Sequence, residues 1–189
     1  MKRPLCILFS LVFTGFIVPL MAQKPVTTPL RQIGIEYLRY PAGHIPALRV
    51  AWGFSAHSQA LALTGYNIAR RQDFGKHDSE KGQGPGMALG YRYRLWPEKS
   101  GFYADARLDL WWLTIDWEDL RAGVLETGAT RITIFQPTMG IGYDWMVPAT
   151  PLSLSAGFHF GREINVKTEG EPVGEGGVSL LVLSANYRL

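Results

Sequence analysis

Residues 102–113, FYADARLDLWWL, carry the pattern that decides the fold. The even positions Phe102, Ala104, Ala106, Leu108, Leu110 and Trp112 are all apolar, and the odd positions between them include Asp105, Arg107 and Asp109. Successive side chains of a strand point to opposite faces, so this is a strand with one apolar and one charged face. In a soluble sheet the charged face meets water and the apolar face meets a core. In a transmembrane barrel the apolar face meets lipid and the charges turn inward.

Working outward, the same alternation predicts about eight strands, near 32–40, 47–55, 59–70, 86–96, 101–115, 131–145, 151–162 and 177–189. Leu48, Val50, Trp52 and Phe54 alternate with Arg49, Ala51 and Gly53, and Met87 to Leu95 alternate with Gly90, Arg92 and Arg94. The third stretch is apolar on both faces. Pro137 lacks a ladder donor, which predicts an irregularity in the sixth. The connections SAHS, WPEKS and VPATP are short, PAGHIP is intermediate, and those after strands three, five and seven are long and polar. Short turns at one end of a meander and longer loops at the other match an outer-membrane barrel.

Consistent assignment of faces collects Glu36, Arg49, Arg92, Arg94, Asp105, Arg107, Asp109 and His159 on the polar side. The apolar side is aromatic toward the strand ends. Phe54, Phe102, Tyr143 and Trp145 fall at the short-turn end, and Tyr37, Trp112, Phe135 and Phe160 at the other. Two aromatic belts around an aliphatic band suit the two interfaces of a membrane. Several stretches reach ten or more residues, beyond the roughly 5–6 of a soluble strand. The expected fold is therefore all-β, a closed antiparallel up-and-down transmembrane β-barrel of about eight strands. A soluble lipocalin-like barrel is the alternative.

Lys2 and Arg3, the apolar run from Leu5 to Met21 and then Ala22 read as a signal peptide over 1–22, against the alternative of a helical anchor. Residues 23–31 form a lead-in with two prolines, and 32–189 the barrel. Cys6, the single cysteine, leaves with the signal, so the mature chain has no disulfide. The pI near 9.1 suggests nucleic acid. Loss of Lys2 and Arg3, however, leaves 17 basic residues against 16 acidic ones, with no basic cluster. Nucleic acid is not an expected partner.

With these strands the chain resembles the small eight-stranded outer-membrane β-barrel proteins of Gram-negative bacteria, the group of OmpA, OmpX and OmpW. The most specific part is the C-terminus, where Leu181, Leu183, Ala185, Tyr187 and Leu189 alternate to the last residue. The resemblance implies that this strand is the signal read by the barrel-assembly machinery, and that the barrel sits in outer-membrane lipid. The family usually ends in an aromatic residue, and Leu189 departs from that.

The inward charges are the main candidate constellation. Unpaired burial costs several kcal/mol each, so Arg49, Arg92, Arg94 and Arg107 are expected against Glu36, Asp105 and Asp109, plugging the lumen. Asp105 and Asp109 lie about 13 Å apart by strand rise, too far for a glycosidase pair, with Arg107 between them. His57-Ser58 falls in a short turn, and His159 with Glu163 near the long-loop rim. Scattered histidines without cysteine give no expected metal, and no cofactor is expected. Gly82, Gly84 and Gly86 form a GxGxG without a following helix, and read as loop flexibility before the fourth strand. Trp117, Leu120, Val124 and Leu125 allow a short helix or cap over the mouth. The expected role is structural, or binding of an unidentified surface ligand through the long loops. A small channel for a small or hydrophobic solute and a lipid-modifying enzyme are the alternatives.

Overall fold

The computed structural model describes residues 31–72, 76–96, 100–173 and 175–189. The expected signal peptide and the lead-in before Arg31 lie outside the described residues. Every regular element among them is a strand: β1 Arg31–Tyr40, β2 Gly43–Gly53, β3 Ser58–Gln72, β4 Ser79–Arg94, β5 Gly101–Arg121, β6 Val124–Met146, β7 Leu152–Arg162, β8 Ile164–Glu169 and β9 Gly177–Arg188.

From β1 to β7 each strand pairs antiparallel with the next in sequence, and β9 joins β1 to β7. The sheet therefore closes on itself. β7 and β8 both pair with β6, at Thr138↔Gly161 and then Phe135↔Ile164, in the same register on either side of a gap in the pairing around Glu163. They are two segments of one stave, so the ring has eight. The break lies beside Pro137, which has no N–H to give, and a register shift follows at Thr133/Ile134.

The stagger of the ring follows from its pairs. Thr114 leads through Gln83, Ile68, His44, Arg39, Leu181, Phe158 and Ile141 to Ala104, ten residues below the start on the same strand. Eight strands with that shear tilt by about 40° and leave a bore that side chains can fill.

The strands are longer and the connections shorter than the sequence suggests. The polar stretch from Asp116 onward continues the β5–β6 ladder to Arg121↔Val124, closed by a two-residue turn with Ala122 at φ 50° and Gly123 at φ 81°. That turn has the positive φ pair of a type I′ hairpin, and neither helix nor cap forms. The polar stretch from Arg71 likewise belongs to the ladder, pairing β3 with β4 at Arg71↔Glu80 and Gln72↔Ser79. PAGHIP contracts to the two residues between Tyr40 and Gly43.

The reason is a change of phase. Up to Trp112, β5 places its alanines and leucines outward; beyond it, Leu113 and Ile115 are buried inside while Thr114, Asp116 and Glu118 face out. β6 does the same, with Ile132 and Ile134 inside and Arg131 outside, and β1 does it at Tyr37 and Leu38. Polarity that resembles a loop is here the exposed outer face of a strand.

Candidate functional site

The inner wall is layered. Toward the termini it is charged. Arg92 and Asp105, cross-strand partners on β4 and β5, meet through Nε to Oδ1 and Nη2 to Oδ2, both 2.8 Å. Arg92 also donates to Asp144 Oδ1 at 3.1 Å and lies 3.5 Å above the Tyr103 ring. Arg94 Nε reaches Asp144 Oδ2 at 2.9 Å. Arg107 donates to Asp109 at 2.8 and 3.1 Å and to Glu36 at 2.6 Å. Arg49 stands 3.6 Å from Glu36 and donates to Asn186 Oδ1. His159 Nε2 is 3.5 Å from Asp105. The four arginines and four carboxylates of this layer are all buried, and their formal charges cancel.

All eight expected lumenal residues fall inside this layer. Asp144 completes it and was not singled out from the sequence; its signal is an acidic residue on the inward parity of β6. Gly140 and Gly142 leave space over which the His159 and Tyr103 rings lie. His159 and Glu163 are not a pair, because Glu163 takes Arg71 at 2.9 Å. The His57 ring turns to the Arg94 carbonyl at 2.7 Å and stacks on Tyr93.

Above the charged layer the bore is filled by apolar side chains. Leu38, Ile45, Trp111, Leu113, Ile115, Ile132 and Leu180 are all buried there. The glycines of GxGxG lie within β4, at inward positions, and not in a loop. A Cβ on Gly86 would fall 2.0 Å from Trp111 Cε3, so the bare strand makes room for the indole. A second polar layer closes the far end. Arg71 bridges Glu80 and Glu163, and Tyr40 donates to Asn67. His77 stacks on Trp117 with centroids 4.4 Å apart and contacts Asp119 at 3.0 Å. Burial holds the Glu163 carboxyl above the usual glutamate range, with Arg71 opposing it.

Outside, Tyr37, Phe54, Phe102, Trp112, Trp145 and Phe160 are exposed, and Phe135 and Tyr143 partly so. Phe102, Tyr143 and Trp145 form a contiguous cluster at the terminal end, with centroids 5.1 and 4.9 Å apart. On β9, Leu181, Leu183, Ala185 and Tyr187 share the outward parity, and Leu189 follows the strand, exposed. Among the described residues no group of three or more His, Cys, Asp or Glu is placed to hold a metal ion.

No family model matches the sequence, and no curated protein does. Solved structures do match. A major outer membrane protein from Thermus thermophilus is 11% identical over 86% of this chain and 100% of its own, with a TM-score of 0.58. Neisserial surface protein A is 11% identical over 85% of this chain and 97% of its own, with a TM-score of 0.55. This chain has the fold of the small outer-membrane β-barrels. At that identity the likeness concerns the fold alone, and the layered lumen has to be read from this chain's own residues.

Proposed function

We propose that this protein is an exported outer-membrane barrel that passes no solute through its lumen. Its role is structural, or that of an interaction surface on the strands that rise past the outer aromatic belt. The observation that carries this is the inversion of apolar phase on β1, β5 and β6. Along β5 below Trp112 the outer face is apolar and Asp105, Arg107 and Asp109 face the bore; just above it Thr114, Asp116 and Glu118 face out while Leu113 and Ile115 fill the bore. That is the arrangement of a wall standing in lipid below and in water above. From Phe102 to Trp112 the ten residue steps, tilted by about 40°, rise roughly 25 Å, the height of the lipid-facing band of such barrels.

The same layering supports a closed lumen. An ion crossing it would have to part buried ion pairs and then pass an apolar stack of Trp111, Leu113 and Ile132. Export would use residues 1–22, and assembly the C-terminal strand Leu181–Leu189 offered to the barrel-assembly machinery. In planar bilayers the refolded mature chain is expected to give no steady openings. Resolvable, sustained openings would overturn the closed lumen and favour the small-channel reading. Migration that differs between boiled and unboiled samples tests the barrel itself.

A further inference from the structure

A row of alternating rings crosses the outer wall. Tyr37 pairs with Pro46 and Tyr66 with Pro85, and the β4–β5 register carries this oblique row on to Trp112. The β2–β3 ladder is bridged at His44↔Ile68 and again at Ala47↔Gly65, and is open between them at Pro46. Arg70 N–H donates to the Ala42 carbonyl, so by the two-residue period of the ladder Tyr66 also addresses β2. Its partner there is Pro46, which has no N–H, so the Tyr66 carbonyl receives no ladder hydrogen bond.

Around this gap the wall is hollowed into a groove of about 700 Å³, lined outward by Ile35, Tyr37, Leu48, Thr64, Tyr66 and Leu183. Just beyond it, the outward positions of β1, β2 and β3 carry Arg39, His44 and Arg70. Among the described residues, the outward positions of β9, β1, β2 and β3 beyond the row carry no carboxylate. The β1–β2 hairpin ends two residues above Arg39, whose Nη1 donates to the Gly43 carbonyl at 3.3 Å. The Arg39 and Arg70 backbones stand about 12 Å apart by strand spacing and rise, within converging reach of two arginine side chains.

We propose that this groove binds a phosphorylated, acylated lipid of the surrounding leaflet, with an acyl chain between Tyr37 and Tyr66 and the phosphate on Arg39 and Arg70. The groove supplies an apolar slot that opens toward the headgroup level. The arginines supply paired charge-assisted donors suited to a phosphate, and the free Tyr66 carbonyl supplies an acceptor for a headgroup hydroxyl. The proposal rests on the outer-membrane reading, since the groove faces lipid only in that setting.

The test uses mature chain refolded in detergent, restricted to protein that shows the heat-dependent shift. Failure to fold would count against the membrane reading and not against this one. Folded protein is mixed separately with dioleoyl phosphatidic acid, dioleoylglycerol and glycerol 3-phosphate, and adducts are read by native mass spectrometry. Phosphatidic acid is expected to bind about ten-fold more tightly than dioleoylglycerol, and glycerol 3-phosphate not to be retained. Arg39→Ala with Arg70→Ala should reduce phosphatidic acid to the dioleoylglycerol level, while Arg39→Lys with Arg70→Lys keeps part of the preference. Thr64→Phe, which fills the groove, should weaken both lipids. Equal retention of the two lipids, unchanged binding in the double alanine variant, or retention of glycerol 3-phosphate alone would overturn the proposal.

Discussion

The Arg92 guanidinium lies flat against the Asp105 carboxylate, with two parallel hydrogen bonds of 2.8 Å, inside a wall where both side chains are almost fully buried. Asp105→Asn keeps the shape and removes the charge, leaving Arg92 with Asp144 alone. A buried charge that loses its partner costs about 3–5 kcal/mol. The urea midpoint of the detergent-folded protein should fall accordingly. Arg92→Met added to Asp105→Asn should recover part of the loss, because removing both charges leaves no orphan. If the single and double variants unfold together with the parent, the ion-pair layer does not hold the barrel.

Asp144 serves two arginines at once, Arg92 at 3.1 Å and Arg94 at 2.9 Å. Arg94 lies toward the short-turn rim and can turn to water when its partner is lost. Asp144→Asn should therefore cost less than Asp105→Asn, about 1–3 kcal/mol. The comparison needs only the two urea curves under one set of conditions.

The strands and the inward parity of the charges are legible in the sequence, because contrast between faces is strong wherever apolar side chains point outward and charged ones inward. FYADARLDL shows both, and so places Asp105, Arg107 and Asp109. Legibility fails at Trp111-Trp112, where both faces are apolar and the phase reverses. Beyond that point a polar outer face resembles a loop, and the buried Leu113 and Ile115 pass unnoticed. Contacts such as Arg71 with Glu163 are set by barrel closure, across 92 positions, and no local spacing announces them. The glycines of β4 are opaque for a different reason. Their role is the room they leave for Trp111, which appears only once the register is fixed.

Glu163 gives a pH dependence whose sign can be worked out. It follows β7, three residues beyond Phe160 of the outer belt, and burial raises its pKa against the opposing pull of Arg71. A carboxyl raised in the folded state holds more proton there than in the unfolded chain. Its contribution is fully present below the ordinary glutamate range and is lost as pH rises through the raised value. Glu163→Gln removes that dependence. The variant's urea midpoint should decline less than the parent's between about pH 4.5 and 7, by less than one proton's worth of slope. A parallel decline in the two proteins would show that the Glu163 carboxyl ionises freely.

Trp111 and Trp112 are adjacent, identical in type and on opposite faces, with Trp111 1% exposed in the bore and Trp112 40% exposed outside. Trp111→Ala leaves a cavity against Gly86 and should cost about 3–5 kcal/mol. Trp112→Ala removes a ring from the outer belt, where lipid can fill the space, and should cost clearly less. Quenching by brominated lipid separates the two independently of stability. Loss of Trp112 should remove a quenched component of the fluorescence, while loss of Trp111 should remove an unquenched one. The reverse assignment would mean that β5 is registered with its other face to lipid. It would then place Asp105, Arg107 and Asp109 outside the lumen.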